Sequence, residues 1–212
     1  KTPLTIIKSY AELIKDITGD NKAKREEQLD VIIDEAKRLT ELVNEILVVS
    51  QQNSTSKLNK TDFDFSELVE SVVKKFDFDN SGYNFRRDVK KGLWVNADRH
   101  KIEQVLFNFI SNAVKYCGKD KEIIIVVKEA GGSARFDVFD HGNGISKQEQ
   151  KYIWDRFSRA SQKYKRGDST GLGLSIVRSI LKSHDAVFGV NSAVGKGSDF
   201  YFELPLVEPP QN

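Results

Sequence analysis

The stretch DRHKIEQVLFNFISNAVKY, residues 98–116, decides how the rest of the chain is read. Ile102, Val105, Leu106, Phe109, Ile110 and Ala113 recur at helical spacing and predict a helix with one face in a core. At about 100° per residue, Gln104, Asn108, Asn112 and Lys115 fall on a different, polar face. Asn108, Asn112 and Lys115 succeed one another a turn apart, with Tyr116 alongside. Amide oxygens can ligate a hard cation such as Mg²⁺, and an ammonium group can meet a phosphate. Two asparagines and a lysine alone read as a solvated helix face, so the decision rests on the residues C-terminal to them.

Three glycine-rich turns lie there. Asp140-His141-Gly142-Asn143-Gly144 closes an apolar run, Gly171-Leu172-Gly173-Leu174 opens an apolar helix, and Gly195-Lys196-Gly197-Ser198 precedes a last strand. An Asp before a glycine is usually a turn former. Its functional reading is an acceptor for the exocyclic amine of adenine, with Gly142 and Gly144 allowing the backbone to approach the base. Glycines at a helix start leave N–H groups and the positive end of the dipole facing an anion. The pattern is not a Walker loop, because G-x-x-x-x-G-K-[ST] does not occur, and no βαβ unit surrounds it as a dinucleotide fingerprint requires.

Thirty-three Lys and Arg against 31 Asp and Glu leave a net charge of +2, so nothing calls for a nucleic-acid partner. One cysteine, Cys117, rules out an internal disulfide and fits a reducing compartment. No signal peptide and no apolar run long enough to span a bilayer is present. The chain contains no methionine and reads as an excised fragment, so a missing membrane segment says nothing about the parent protein.

Residues 1 to about 17 predict a helix with two apolar stripes: Leu4, Ile7, Ala11 and Ile14, then Ile6, Tyr10, Leu13 and Ile17. A second helix is expected from about Lys22 to Gln51, with Leu29, Ile32, Ala36, Leu39, Val43 and Ile46 forming an a/d seam. One hairpin cannot bury all of this. A four-helix bundle of two chains can, and the alternative is a monomeric hairpin packed on the rest. The polar stretch QQNSTSK at 51–57 reads as a hinge. Beyond it come a short strand entering an amphipathic helix, with Ser66 as N-cap, and strands near 83–89 and 93–95. Strands at 122–128 and 134–139 flank a Gly131-Gly132-Ser133 hairpin turn. A helix is expected over 147–157, a basic lid over 158–170, a helix from Gly171, and strands at 187–191 and 200–204. The expected fold class is α+β: a helical hairpin, then an α/β sandwich with a mixed, mainly antiparallel sheet. The expected divisions are 1–52, 53–207 and a tail at 208–212.

An amide-bearing helix succeeded by a D-x-G-x-G turn, a phenylalanine motif (Trp154-Asp155-Arg156-Phe157), a lid and a G-x-G-L helix start resembles the ATP-binding domain of bacterial sensor histidine kinases. Lys1-Thr2-Pro3-Leu4-Thr5 looks like the tail of that family's phosphoacceptor motif. The resemblance covers essentially the whole chain. It implies that Asn108 and Asn112 hold Mg²⁺, Lys115 contacts phosphate and Tyr116 packs near the adenine. It implies that Asp140, with Gly142, Gly144 and Ile145, reads the base, and that Ser198 lies nearby. Arg159 and the Gly171, Leu172, Gly173 and Leu174 amides are implied to contact the phosphates, and Thr170 to belong to the nucleotide site.

Gyrase-type and heat-shock-chaperone-type ATPases place a Glu one turn before the metal-binding Asn, as base for attacking water. This chain has Asn108 there, and an amide cannot abstract a proton. The resemblance therefore implies ATP held intact for transfer to a histidine and then to an aspartate on a response regulator receiver domain. That histidine is expected upstream of Lys1, so the chain as it stands is expected to bind ATP–Mg²⁺ without phosphorylating itself. Thr2 resembles the residue that orients water for dephosphorylating the partner, and reads equally as a helix cap. Asp185-Ala186 replace two glycines that often come after the family's counterpart of His184. The alternatives are an ATP hydrolase of the same superfamily and a non-catalytic dimerisation module.

Overall fold

The computed structural model describes residues 3–18, 20–52, 58–79, 82–155 and 172–210. Contacts divide the chain into two compact units, Lys1–Ser56 and Lys57–Asn212.

The first unit is an α-helical hairpin. Helix α1, Pro3–Leu13, runs into a π-helical turn at Ile14–Thr18, and α2 spans Lys22–Gln52. Asn21 starts α2: its carbonyl accepts from Arg25 N and its side chain from Lys24 N. Thr18 Oγ1 donates to Gln28 Oε1 at 2.5 Å, and Gln28 is buried. The apolar stripes remain open. Leu4, Leu13, Ile17, Leu29 and Ile33 are exposed, and no apolar side chain of the described hairpin residues is buried. Ile32 of the seam is half-buried, whereas the side chains of Val43 and Ile46 lie outside the described residues.

The second unit opens with β1, Thr61–Asp64, antiparallel to β3, Trp94–Ala97. Between them lie α3, Phe65–Asp79, and β2, Asn84–Val89. The N-cap of α3 is not Ser66 as the sequence suggested. Asp64 Oδ1 accepts from Ser66 N at 2.8 Å and from Glu67 N at 3.3 Å, as a capping carboxylate does. Ser66 turns inward instead: its hydroxyl donates to Lys90 O and accepts from Leu93 N.

Helix α4, Arg99–Tyr116, leads to the hairpin of β4, Glu122–Ala130, and β5, Ser133–Asp140. Gly131 and Gly132 form its two-residue turn with φ of 56° and 81°, the left-handed pair that a primed hairpin turn requires. Helix α5, Gly173–Ser183, precedes β6, Val187–Ser192, and β7, Ser198–Pro205. The main sheet has the order β2-β4-β5-β7-β6; β2 pairs parallel with β4 and every other pairing is antiparallel.

One face of this sheet carries the core. Ile123, Ile125, Val127, Ala134, Phe136, Val138, Phe200, Phe202 and Leu204 alternate along the strands and are buried. Against them lie all six apolar residues of the α4 stripe, every one buried, with Val177 and Leu181 of α5. Phe109 sits among Trp154, Phe200 and Phe202 with ring centroids 5.4–6.3 Å apart. The opposite face is covered by its own charges. Arg135 bonds Asp137 and Glu203, and its guanidinium lies 4.0 Å from the Tyr201 ring centroid. The fold is therefore α+β, a helical hairpin and then a two-layer sandwich.

Where a helix is expected over 147–157, the described residues 147–155 form only a short 3₁₀ turn, Glu149–Lys151, with turns up to Trp154, and residues 156 and 157 lie outside the described residues. Ser146 and Glu149 cap each other: Glu149 Oε2 accepts from Ser146 N and Ser146 Oγ from Glu149 N. Three-residue bonds from Tyr152 N to Glu149 O and from Asp155 N to Tyr152 O then alternate with four-residue bonds from Gln150 N to Ser146 O and from Ile153 N to Glu149 O. On this irregular path the adjacent Ile153 and Trp154 both pack on the core.

Candidate functional site

Helix α4 is placed by both its ends. Asp98 is its N-cap, accepting from Lys101 N at 3.2 Å. The backbone N–H of Asp98 donates to His184 Nε2 at 3.0 Å, and His184 Nδ1 lies 2.8 Å from Ile180 O. With an N–H donor facing Nε2, the proton belongs on Nδ1, and burial holds the His184 pKa below its ordinary value. This clamp ties the start of α4 to the end of α5.

The polar face of α4 then meets the glycine turns. Asn108 Nδ2 donates to Gln104 O at 2.8 Å, which leaves Oδ1 pointing off the helix. That oxygen faces Gly173, where an added Cβ would stand only 2.7 Å from it. The first glycine of α5 is thus the residue that lets the helix start approach the amide. Leu172 precedes it as N-cap and supplies no side-chain acceptor to the first N–H groups of α5. Asn112 lies one turn beyond Asn108 on the same face, half-buried, and Lys115 and Tyr116 are exposed at the end of the helix. Lys115 Nζ lies 5.7 Å from the Tyr116 ring centroid.

The other two turns pack on the C-terminal end of α4 and on each other. A Cβ at Gly142 would stand 1.9 Å from Tyr116 O, one at Gly144 2.0 Å from Ala193 O, and one at Gly197 1.8 Å from Asp140 O. These contacts are backbone on backbone, so only glycine fits at each. Asp140 is buried at the centre, with Oδ1 accepting from Gly142 N at 2.8 Å and the carboxylate also bonding the Ser198 N–H. Burial pushes its pKa up, and the two N–H groups oppose that shift. Ile145 N donates to Ser192 Oγ, which donates to Gly197 O and lies 3.1 Å from Ser198 Oγ.

Of the residues expected from sequence, Asn108 meets Gly173, Gly142 meets Tyr116, and Asp140, Gly144, Ile145 and Ser198 are joined through the contacts of their turns, while Asn112 and Lys115 lie on the α4 face and Leu172 and Leu174 flank Gly173. Arg159, Thr170 and Gly171 lie outside the described residues, as do Thr2 and the Arg156-Phe157 half of the phenylalanine motif. Sequence reasoning missed Ser192 and Gln150. Gln150 Nε2 donates to both Ile145 O and Ser192 O at 2.8 Å, pinning two turns together. Nothing marks a lone Ser or Gln in sequence as such a brace. A cavity of about 380 Å³ borders this region and shares Asp140, Ser192, Gly197 and Ser198 with it. Its floor is the cross-strand row Ile124, Phe139, Asp199 and Asn191 on the opposite sheet face.

Comparison with known proteins agrees over both units. Residues 97–208 match the family described as histidine kinase-, DNA gyrase B-, and HSP90-like ATPase, and residues 1–55 match the His Kinase A (phospho-acceptor) domain. The signal transduction histidine-protein kinase ArlS of Staphylococcus epidermidis is 32% identical over 210 residues, 98% of this chain and 46% of that protein. The sensor protein SrrB of Staphylococcus aureus is 32% identical over 213 residues, 98% of this chain and 36% of that protein. This chain therefore spans less than half the length of these curated relatives. Among solved structures, histidine kinase ThkA in complex with the response regulator protein TrrA aligns with a TM-score of 0.70 at 28% identity, over 97% of this chain and 58% of that one. The amide helix, the glycine turns and these matches have one source: the chain belongs to the histidine kinase-, DNA gyrase B- and HSP90-like ATPase family, as the core of a two-component sensor histidine kinase.

Proposed function

We propose that the longer protein containing this chain transfers the γ-phosphoryl group of ATP to a histidine and from there to an aspartate of a response regulator receiver domain. Residues 53–207 would hold the nucleotide and residues 1–52 the dimerising phosphotransfer hairpin. The observation that carries the reading is the meeting of the α4 amide face with the glycine turns, Asn108 against Gly173 and Tyr116 against Gly142.

In this reading Asp140 accepts a hydrogen bond from the adenine amine. The residues present suit a hard cation: Asn108 and Asn112 offer amide oxygens a turn apart on one face, and Asn108 Oδ1 already points outward. Mg²⁺ held there would neutralise charge on the triphosphate. The first N–H groups of α5, from Gly173 and Leu174, would bind the phosphates together with Lys115, and Arg159, outside the described residues, would join them. Asn108 stands where a hydrolase needs a carboxylate base, so the chain orients ATP and leaves the attack to an imidazole. The exposed Leu4, Leu13, Ile17, Leu29 and Ile33 support closure of the hairpin by a second copy into a four-helix bundle. A membrane-anchored parent, with this chain on its cytoplasmic side, fits the sensor relatives; no described helix is long and apolar enough to cross a membrane.

The test joins nucleotide titration to phosphate release. Saturable binding of ATP–Mg²⁺ without steady release of phosphate is expected of a kinase core waiting for its acceptor. Steady release by this chain alone would move the assignment to the hydrolase branch.

A further inference from the structure

Beside the nucleotide turn lies a second cluster that the kinase reading does not use. After α4 the chain makes a tight turn through residues 117–121, in which Lys121 takes φ 51°. The turn is fixed on both sides: Lys121 N donates to Gly118 O, and Asn84 N donates to Lys121 O. It also touches the nucleotide turn, since a Cβ on Gly118 would stand 2.3 Å from His141 O. Three side chains converge where the two turns meet. His141 Nδ1 lies 2.7 Å from Asp120 Oδ2 and 3.7 Å from Glu122 Oε2, and all three ligand atoms fall within 4.8 Å of one another.

The second oxygen of each carboxylate is held from outside the trio. Asp120 Oδ1 accepts from the backbone N–H of Glu122 at 3.3 Å, and Glu122 Oε1 faces Arg86 Nη1 at 3.5 Å. Those contacts leave Oδ2 and Oε2 turned towards the imidazole. The ammonium of Lys121, the nearest chain neighbour of both carboxylates, is turned to the Tyr83 ring at 5.3 Å. A zinc ion bonds nitrogen and carboxylate oxygen at about 2.0–2.2 Å, which puts neighbouring ligands of a tetrahedron about 3.4 Å apart. The separations of 2.7 and 3.7 Å bracket that value, so shifts of well under an ångström would bring His141 into place with both partners.

We propose that Asp120, Glu122 and His141 form a binding site for a divalent transition metal of the zinc class, bridging the turn after α4 to the turn that carries Asp140. One imidazole and two carboxylates favour such an ion over Mg²⁺, which takes oxygen ligands and keeps its water. The site is distinct from Asn108 and Asn112, and its fourth position opens to solvent because Asp120 and His141 are exposed. Metal displaces the hydrogen bond between Asp120 and His141, and the proton on Nδ1 leaves to solvent.

The test is calorimetric titration of the untagged chain with zinc chloride, without nucleotide, and the visible spectrum of the cobalt(II) form. One site of micromolar affinity is expected, with a rise in thermal midpoint. Asp120→Asn, Glu122→Gln and His141→Ala should each weaken it by roughly tenfold or more and remove the rise. His100→Ala and Cys117→Ser should bind as wild type, and millimolar Mg²⁺ should not compete. Absence of zinc-dependent heat would show an ion-pair cluster only and overturn the proposal. So would wild-type affinity in His141→Ala, or loss in Cys117→Ser, which would place the metal on the thiol. None of these outcomes bears on nucleotide binding.

Discussion

Replacing Gly142 with alanine tests the join between the amide helix and the base-reading turn. The new Cβ would stand 1.9 Å from Tyr116 O and 2.8 Å from Asp140 Oδ1, where real Cβ contacts essentially never fall below 3.0 Å. Either the turn or the end of α4 must move by about 1 Å. Gly142 has no positive φ, so the cost is steric rather than conformational. Overpacking of this kind costs about 1–3 kcal/mol, which a unit of this size survives folded. Binding suffers separately, because the shift moves Asp140 relative to Asn108 and Asn112. A hydrogen bond to a charged acceptor contributes about 1.5–3 kcal/mol, so ADP–Mg²⁺ affinity should fall by roughly 10- to 100-fold. The control is Gly132→Ala in the distant β4–β5 turn, where φ is 81° and nothing lies within 4 Å of an added Cβ. That variant should lose about 1–2 kcal/mol of stability with unchanged nucleotide affinity. Urea unfolding and calorimetric titration read the two quantities. Wild-type affinity in Gly142→Ala would refute the packing argument.

The same geometry predicts three other outcomes. His184 is held neutral, with a pKa below 6.5, between the Asp98 N–H and Ile180 O, near Lys60, Lys101 and Asp98. The unfolded chain takes up its proton first, so stability is complete above pH 6.5 and falls as pH drops from there through the lower folded pKa. His184→Ala should flatten that slope and cost about 1–3 kcal/mol by orphaning the buried Asp98 N–H, as read by urea unfolding at neutral and mildly acid pH. Asp185 adopts φ 55° in a helix C-cap where Asp185 N bonds Lys182 O and Ala186 N bonds Leu181 O. Asp185→Gly should raise stability by up to about 1 kcal/mol, and a lower thermal midpoint would contradict the strain assigned to that residue. Burial raises the Asp140 pKa, so a carboxylate that accepts from adenine is neutralised at less acid pH than an ordinary Asp. Nucleotide affinity should therefore decline on acidification before the ordinary Asp range near 3.8 is reached, as measured by titration at successive pH values.

The parts of the molecule governed by period and by glycine were legible in the chain. The six apolar residues of α4 are all buried, and the Gly131-Gly132 turn joins the two strands it was expected to join. Asp185 stands in the left-handed conformation that glycine adopts most readily, so its departure from the family pattern costs strain while the turn still forms. Features governed by competition between neighbours were not legible. Ser66 and Asp64 can both cap α3, and the choice fell to Asp64 because Ser66 is needed by Lys90 and Leu93. The stretch 147–157 has helical composition, yet in its described part, 147–155, Ile153 and Trp154 both pack inward and the chain takes a 3₁₀ turn at Glu149–Lys151. The Asn108–Gly173 approach and the Gln150 brace join residues far apart in sequence, and no local pattern announces them.

At the centre stands the claim that the α4 amides and the Asp140 turn serve one nucleotide and its metal. The measurement that bears on it most directly is titration of ATP–Mg²⁺ into wild type, Asn112→Ala and Asp140→Ala, with thermal unfolding run alongside. Saturable binding by wild type and none by either variant is expected, with both variants still folding cooperatively. Wild-type affinity in a folded Asn112→Ala or Asp140→Ala protein would contradict it.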